Sequence, residues 1–376
     1  MLSKLKSLFT SEQKKFGSQP LVSIYNAGLA RWTPRNYAAQ AREGFATNSV
    51  GYRCVRMIAE AAGSVPLLVY QGQNEIETHP LKTLLLRPNP SHSGRDLIEN
   101  IISYLLLAGN SYIEVSSLDN IPRELMALRP DRMRVVPGTD GWPDHYEYSV
   151  YGEIAKLAAD HILHIRLFNP LDDYYGQSPL EAAQRSIDTH NSASAWNKSM
   201  LDNAARPSGA LVFAASDDHL SAEQFERLKN ELESSYQGAA NAGRPMVLEG
   251  GLDWKEMGYS PKDMDFIQSK NAAARESALA FGVPPMLLGI PGDNTYSNFA
   301  EANRTFWRQT VIPLLGRVTD ALGNFVGPQF GADIRLTYDL DQVDALSQDR
   351  DALWTRVNTA TFLTDDEKRA AVGYGK

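Results

Sequence analysis

The chain has 376 residues, 43% of them hydrophobic and 22% charged, which suits one elaborate domain or two to three compact ones and excludes a disordered or collagenous chain. Its formal net charge of −8 argues against a protein that grips nucleic acid through a broad basic face, because tight phosphate binding needs clustered Lys and Arg. The single cysteine, Cys54, leaves no partner for a disulfide within the chain and is expected as a small buried hydrophobe in a reducing compartment.

In chain order, residues 1 to about 45 are polar, lack sustained periodicity and read as a flexible arm; the basic residues near the start accompany no long apolar core, so no secretory signal is expected. From Asn48 a helical stripe (Val50, Cys54, Val55, Ile58, Ala62) runs to Gly63 and Pro66. A strand over 65–70, a turn at 72–74, a short helix over 79–86 and a second helix over 93–107 follow. The longest apolar run, 98–108, is too short to span a bilayer and is broken by Glu99, Asn100 and Ser103, so no membrane partner is expected. Strands are predicted over 111–116, 125–128, 133–136, 146–150 and 162–167, then a long Ala- and Ser-rich helix over 179–204.

Residues 206–258 read as an insertion with a small fold of its own: a strand over 209–214, a helix capped by Ser221 with Gln224 three residues on, and a strand over 246–248. A second long helix is predicted over 260–281, with Ser260 as N-cap and Pro261 as its first residue, then a loop over 289–298 and a third helix over 299–326 carrying Pro313. A strand over 334–338 and a C-terminal helical pair close the chain, the second helix opening at Thr364 with Glu367 as capping-box partner. A body that sends out a helix, builds a tip and returns by a second helix has a stalk, which isolated enzymes rarely need.

Catalytic signatures are missing: there is no GxxxxGK[ST] phosphate loop, no GxGxxG after a strand and no GxSxG elbow, and one cysteine cannot make a CxxC metal site. No cofactor is expected. His161 and His164 with Asp160 come nearest to a metal cluster, but at the start of a strand positions three apart point to opposite faces. Asp172 and Asp173 lie among Pro170 and Gly176 and read as a solvated turn, as do Asp217 and Asp218. The acidic run Asp339, Asp341, Asp344, Asp349 and Asp351 reads as a solvated face or a subunit-contact edge, since no glycine stands at the calcium-loop position.

Several strings together resemble the portal proteins of long-tailed phages, a family also found in prophages and gene transfer agents. They are Asn48-Ser-Val with Cys54-Val-Arg-Met-Ile-Ala, Leu85-Leu-Arg-Pro-Asn-Pro, Leu107-Ala-Gly-Asn-Ser-Tyr, Leu128-Arg-Pro-Asp, His161-Ile-Leu-His-Ile-Arg, Gly176-Gln-Ser-Pro-Leu, Asn203-Ala-Ala-Arg-Pro-Ser-Gly, Val247-Leu-Glu-Gly-Gly and Phe281-Gly-Val-Pro-Pro-Met-Leu-Leu-Gly, spread in order across about 46–330. The resemblance implies an α+β portal-type fold: an α/β wing (46–178 and, with the tunnel loop, 284–340), two stem helices (179–205 and 259–283), a small α/β clip (206–258) and a short helical crown (341–376). It further implies a non-enzymatic homo-oligomeric ring, typically of twelve subunits, at the portal vertex of a virion capsid assembled in the bacterial cytoplasm. The implied partners are the major capsid protein, double-stranded DNA in the channel, the large terminase subunit and a head–tail adaptor.

The residues expected to face DNA are Asn294, Thr295, Tyr296, Ser297 and Asn298 in the tunnel loop; Lys262, Lys270 and Arg275 on the stem, balanced by Asp263, Asp265 and Glu276, suit intersubunit pairing as much as DNA contact. The rival readings are another head–tail connector or capsid assembly protein, and a metal-dependent hydrolase using Asp160, His161, His164, Asp172 and Asp173.

Overall fold

The computed structural model describes residues 30–202, 209–213, 223, 226–227, 229–230, 252–256, 266–291 and 296–373. The flexible-arm expectation fails before residue 45: α1 (Tyr37–Gln40) runs into a widened π turn (Ala41–Ala46). The cause is a close crossing of main chains. A Cβ on Gly51 would lie 2.0 Å from the Gly44 carbonyl oxygen, so the bare glycine at 51 lets this segment lie against the start of α2 (Ser49–Gly63), while a Cβ on Gly44 would meet the Leu180 side chain at 2.5 Å. Asn48 caps α2, its Oδ1 accepting from the Val50 and Gly51 amides at 3.0 and 2.9 Å. The predicted stripe is the buried one, and Cys54 on it is fully buried, with its thiol pushed up to about 12 by desolvation.

Strands β1 (Leu67–Gln71) and β2 (Asn74–Glu75) form a hairpin over Gly72, and α3 (Pro80–Leu86) is capped by His79 Nδ1, which accepts from the Leu81 amide at 3.2 Å. Helix α4 (Gly94–Ala108) starts with a capping box between Ser93 and Asp96 and stops at Gly109, whose φ of 72° is the left-handed geometry a helix C-terminus needs.

Six antiparallel strands follow: β3 (Asn110–Leu118), β4 (Ile121–Leu128), β5 (Met133–Pro137), β6 (Pro143–Val150), β7 (Glu153–Ala158) and β8 (Ile162–Arg166). They make two three-stranded sheets, ordered β4-β3-β8 and β5-β6-β7. The sequence reading missed β7, because its side chains are almost all exposed and show no apolar alternation.

Helix α5 (Pro179–Asp202) leads to β9 (Gly209–Phe213), which pairs antiparallel with β10 (Leu252–Glu256), Gly209 opposite Glu256. The helix expected after Ser221 is described only at isolated residues, and its cap with Gln224, the strand at 246–248 and the helix start at Ser260 and Pro261 lie outside the described residues. Helix α6 (Phe266–Phe281) ends in a 3-10 turn (Pro285–Leu288). The third long helix departs from expectation. It is already helical at Tyr296, and it divides into α7 (Tyr296–Phe306), a π turn (Trp307–Val311) and α8 (Ile312–Val326). Pro313 explains the interruption: it has no N–H, and its ring would strike the carbonyl four residues back, so the preceding turn widens and the Ile312 amide reaches the Trp307 carbonyl instead.

Strand β11 (Ile334–Tyr338) pairs antiparallel with β1, Leu67 opposite Tyr338. The C-terminal helices are α9 (Ser347–Thr359) and α10 (Asp365–Ala371), with the capping box between Thr364 and Glu367 as read from the sequence. Two buried clusters result. The larger joins the apolar faces of α2, α4 and α8 with Leu180, Ile187, Phe281 and Phe306; the smaller holds Tyr112, Leu128, Met133, Val135, Tyr146 and Ile162 between the two three-stranded sheets.

Candidate functional site

Helices α5 and α6 pack as an antiparallel pair. The register follows from two contacts: Ser186 Oγ donates to Glu276 Oε2 at 2.7 Å, and ten residues farther along α5 Trp196 stacks on Phe266 with centroids 4.0 Å apart. Between them the packed faces are small, with Ala183 and Ala193 on α5 and Ala273, Ala274, Ser277 and Ala278 on α6 buried, so the backbones approach closely. At about 1.5 Å per residue, α5 is on the order of 36 Å long.

A buried polar joint fastens this pair to the body. Asn48, already the cap of α2, donates from Nδ2 to Asn191 Oδ1 at 2.8 Å and to His190 Nδ1 at 3.2 Å, and Asn191 donates to the Glu43 carbonyl at 2.9 Å. His190 therefore carries its proton on Nε2. Burial, then the Lys270 ammonium, hold its imidazole below the usual range and keep it neutral. One turn away, Asp188 accepts from the Thr33 amide at 2.8 Å, from the Thr33 hydroxyl at 2.6 Å and from Gln184 Nε2 at 2.9 Å.

Of the residues expected on the stem, Lys270 is half-buried beside His190, Arg275 is exposed with its guanidinium donating to the Pro291 carbonyl, and Lys262, Asp263 and Asp265 lie outside the described residues. Of the expected tunnel loop, Asn294 and Thr295 lie outside the described residues, whereas Tyr296, Ser297 and Asn298 form the first turn of α7, a correction to the loop reading. Asn298 is exposed there, as is Phe299.

Sequence reasoning missed what secures α7. Asp349 on α9 sits between two arginines: Arg304 Nη1 lies 3.5 Å from its Oδ1 and Arg308 Nη1 lies 3.8 Å from its Oδ2. Arg304 also pairs with Glu301. The π turn is pinned as well, since the Thr310 hydroxyl donates to the Gly282 carbonyl at 2.5 Å. Within the acidic run Asp349 pairs with the two arginines of the 296–311 segment and the exposed Asp341 with Arg350 at 3.8 Å, while Asp344 and Asp351 are exposed.

Of the residues of the hydrolase reading, Asp160, His164 and Asp173 line one cleft, but His161 and Asp172 do not join them. His161 is exposed on a 3-10 turn before β8, not on the strand. His164 stacks on Tyr112 at 4.2 Å, and its Nε2 lies 3.0 Å from Asn110 Oδ1; that oxygen also accepts the Gly176 amide at 2.8 Å, so His164 donates from Nε2. Burial, aided by Arg166, pushes its imidazole down to about 3. Asp172 is a turn residue, its Oδ1 accepting from the Tyr174 and Tyr175 amides at 2.7 and 2.9 Å. Among the described residues no group of three or more His, Cys, Asp or Glu side chains is placed to hold a metal, and no helix is long and apolar enough to cross a membrane.

The arrangement is one of rigid helices, pinned joints and small-residue packing. The family model for phage portal proteins matches residues 49–373. This chain belongs to the phage portal protein family. Portal proteins are structural components, and the mixed helix and strand fold agrees. A solved chain from the neck of an empty GTA particle, determined with C6 symmetry, is 53% identical and superposes with a TM-score of 0.73 over 92% of this portal chain and 95% of its own. A chain from the neck of the native GTA particle with C12 symmetry is 52% identical with a TM-score of 0.71 over 93% and 96%. The portal protein of Escherichia phage T5 is 26% identical over 79% of this chain and 71% of its own length.

Proposed function

We propose that the chain is the repeating subunit of a twelve-membered portal ring at one capsid vertex of a gene-transfer-agent type particle. The observation that carries this reading is the 53% identity, over nearly all of both chains, to a subunit of a GTA neck. The ring does geometric work and no bond chemistry: it marks one vertex, passes double-stranded DNA inward during packaging and outward on delivery, and offers docking faces to the large terminase subunit and later to a head–tail adaptor.

In this reading the body formed by 46–178 and 284–340 is the wing that meets the major capsid protein. The pair α5–α6 (within 179–205 and 259–283) is the stem, 206–258 the clip and 341–376 a short crown. The excess of acidic over basic residues across the chain limits adhesion to phosphate, so DNA slides past. Asn294 to Asn298 precede and open α7 and are assigned to the narrowest part of the passage, with Lys262, Lys270 and Arg275 along the stem.

Electron micrographs of the purified protein test the reading: turbine-shaped rings with a central hole are expected, and a stable monomer at micromolar concentration overturns it. Within the particle, deleting 294–297 is expected to leave rings intact and to lower the DNA content per particle severalfold. Loss of ring assembly in that variant would make the segment architectural.

A further inference from the structure

A cleft of about 680 Å³ opens where β6, β8, the 172–174 turn and the last turn of α8 meet, and the portal reading gives it no task. Its walls are five rings: Trp142, Tyr146, His164, Tyr174 and Phe325. Trp142 is 71% exposed, an unusual position for an indole outside a contact surface. The turn that carries it is firmly built: the Gly138 amide donates to the Trp142 carbonyl at 2.6 Å, Asp140 Oδ1 accepts the Trp142 amide at 3.1 Å, and Gly141 takes a φ of 84°. The Tyr174 hydroxyl then donates to the Gly141 carbonyl at 3.0 Å and ties this turn to the opposite wall. The cleft is preformed.

Its lining carries two carboxylates against one guanidinium. Asp160 and Asp173 both line it, and among the described residues neither carboxylate has an ion-pair partner. The one cation in the lining, Arg166, donates to the main-chain carbonyl of Asp173 and to no carboxylate. Burial keeps the His164 ring neutral, so it offsets neither acid. Aromatic faces attract cations, and a carboxylate accepts the forked guanidinium bidentately. A lysine ammonium satisfies the charge but not the flat, stacked geometry that five rings offer.

We propose that this cleft is a docking site for an arginine-bearing peptide segment of a partner protein. The proposal does not depend on ring formation.

The test uses the full-length protein and a fluorescein-labelled peptide of three arginines spaced by glycine and proline, read by fluorescence polarisation. Matched peptides with lysine, glutamate or glutamine in place of arginine are run in parallel. The arginine peptide is expected to bind at least tenfold more tightly than the glutamate and glutamine peptides, with lysine between them. Trp142→Ala, and separately Asp160→Asn with Asp173→Asn, are each expected to weaken it roughly tenfold. A control removing two exposed acids elsewhere, Asp365→Asn with Asp366→Asn, is expected to leave it unchanged. Thermal melts check that the variants remain folded; the exposed positions of Trp142, Asp160 and Asp173 keep all three away from the packed core. An equal loss in the control means diffuse attraction to an acidic protein and overturns the proposal. So do equal binding of the glutamine peptide, which would mark the cleft as a site for neutral proline-rich chains, and no measurable binding by the unaltered protein.

Discussion

Around α4, aliphatic side chains from α2, α4 and α8 interlock with almost no polar atoms among them, whereas between the two three-stranded sheets the buried residues include two tyrosines and lie against a histidine. The first cluster is held by shape and area. The second is held by ring stacking and by hydrogen bonds: Tyr112 and Tyr146 meet edge-on at 5.9 Å, and Tyr175, packed beside them, accepts the Val135 amide at 2.9 Å. A core of the first kind fails when volume is removed. A core of the second kind fails when charge or hydrogen bonding changes, and so responds to solution conditions.

The sharpest way to break this contrast is Ile101→Ala in the fully buried centre of α4, expected to cost about 3–5 kcal/mol and to shift the denaturant midpoint of the whole chain with no dependence on pH. The second cluster should answer to acid. His164 titrates near 6.5 when unfolded and at about 3 when folded, so between those values the unfolded chain binds the extra proton. Stability is full above about pH 6.5, falls as pH drops towards 3 and levels off below it, by at most about 1.4 kcal/mol per pH unit. His164→Phe keeps a ring against Tyr112 and is expected to flatten that part of the profile; identical slopes in the two proteins would remove His164 as the acid-sensitive element. The smallest effect is expected from Tyr175→Phe, which leaves the Val135 amide without its acceptor at a cost of about 1–2 kcal/mol. Hydrogen exchange should locate that loss at β5 and not in α4.

Much of the secondary structure was legible because local rules decide it. The alternation in β11, the stripe on α2 and the reciprocal cap at Thr364 and Glu367 all lie within one or two turns of chain. The asparagines in the family strings were legible as signatures but not as parts. Asn48 holds α2 to α5 through the side chains of His190 and Asn191, Asn89 donates to the Leu125 carbonyl at 2.9 Å, and Asn110 bridges the end of α4 to the Gly176 amide; each reaches a partner far away in sequence. The π turn at Trp307–Val311 depends on which hydrogen bond yields to Pro313, and the bracket of Arg304 and Arg308 on Asp349 joins residues some 45 apart. Neither leaves a periodic trace. Asp160 reads from the sequence as the neighbour of two histidines at a strand start and Asp173 as part of a solvated turn, because their common cleft exists only after β6, β8 and α8 have met.

Cys54, sealed under α2 with its thiol held protonated well above neutral pH, has a practical consequence. It is the chain's sole sulfhydryl and is inert to ordinary alkylating reagents, so the native protein is already a silent background for labelling. A cysteine introduced at Trp142 or Asn298 would take up a single dye or spin probe without any need to engineer the original one away. Distances across an assembled particle could then be measured on otherwise unaltered subunits.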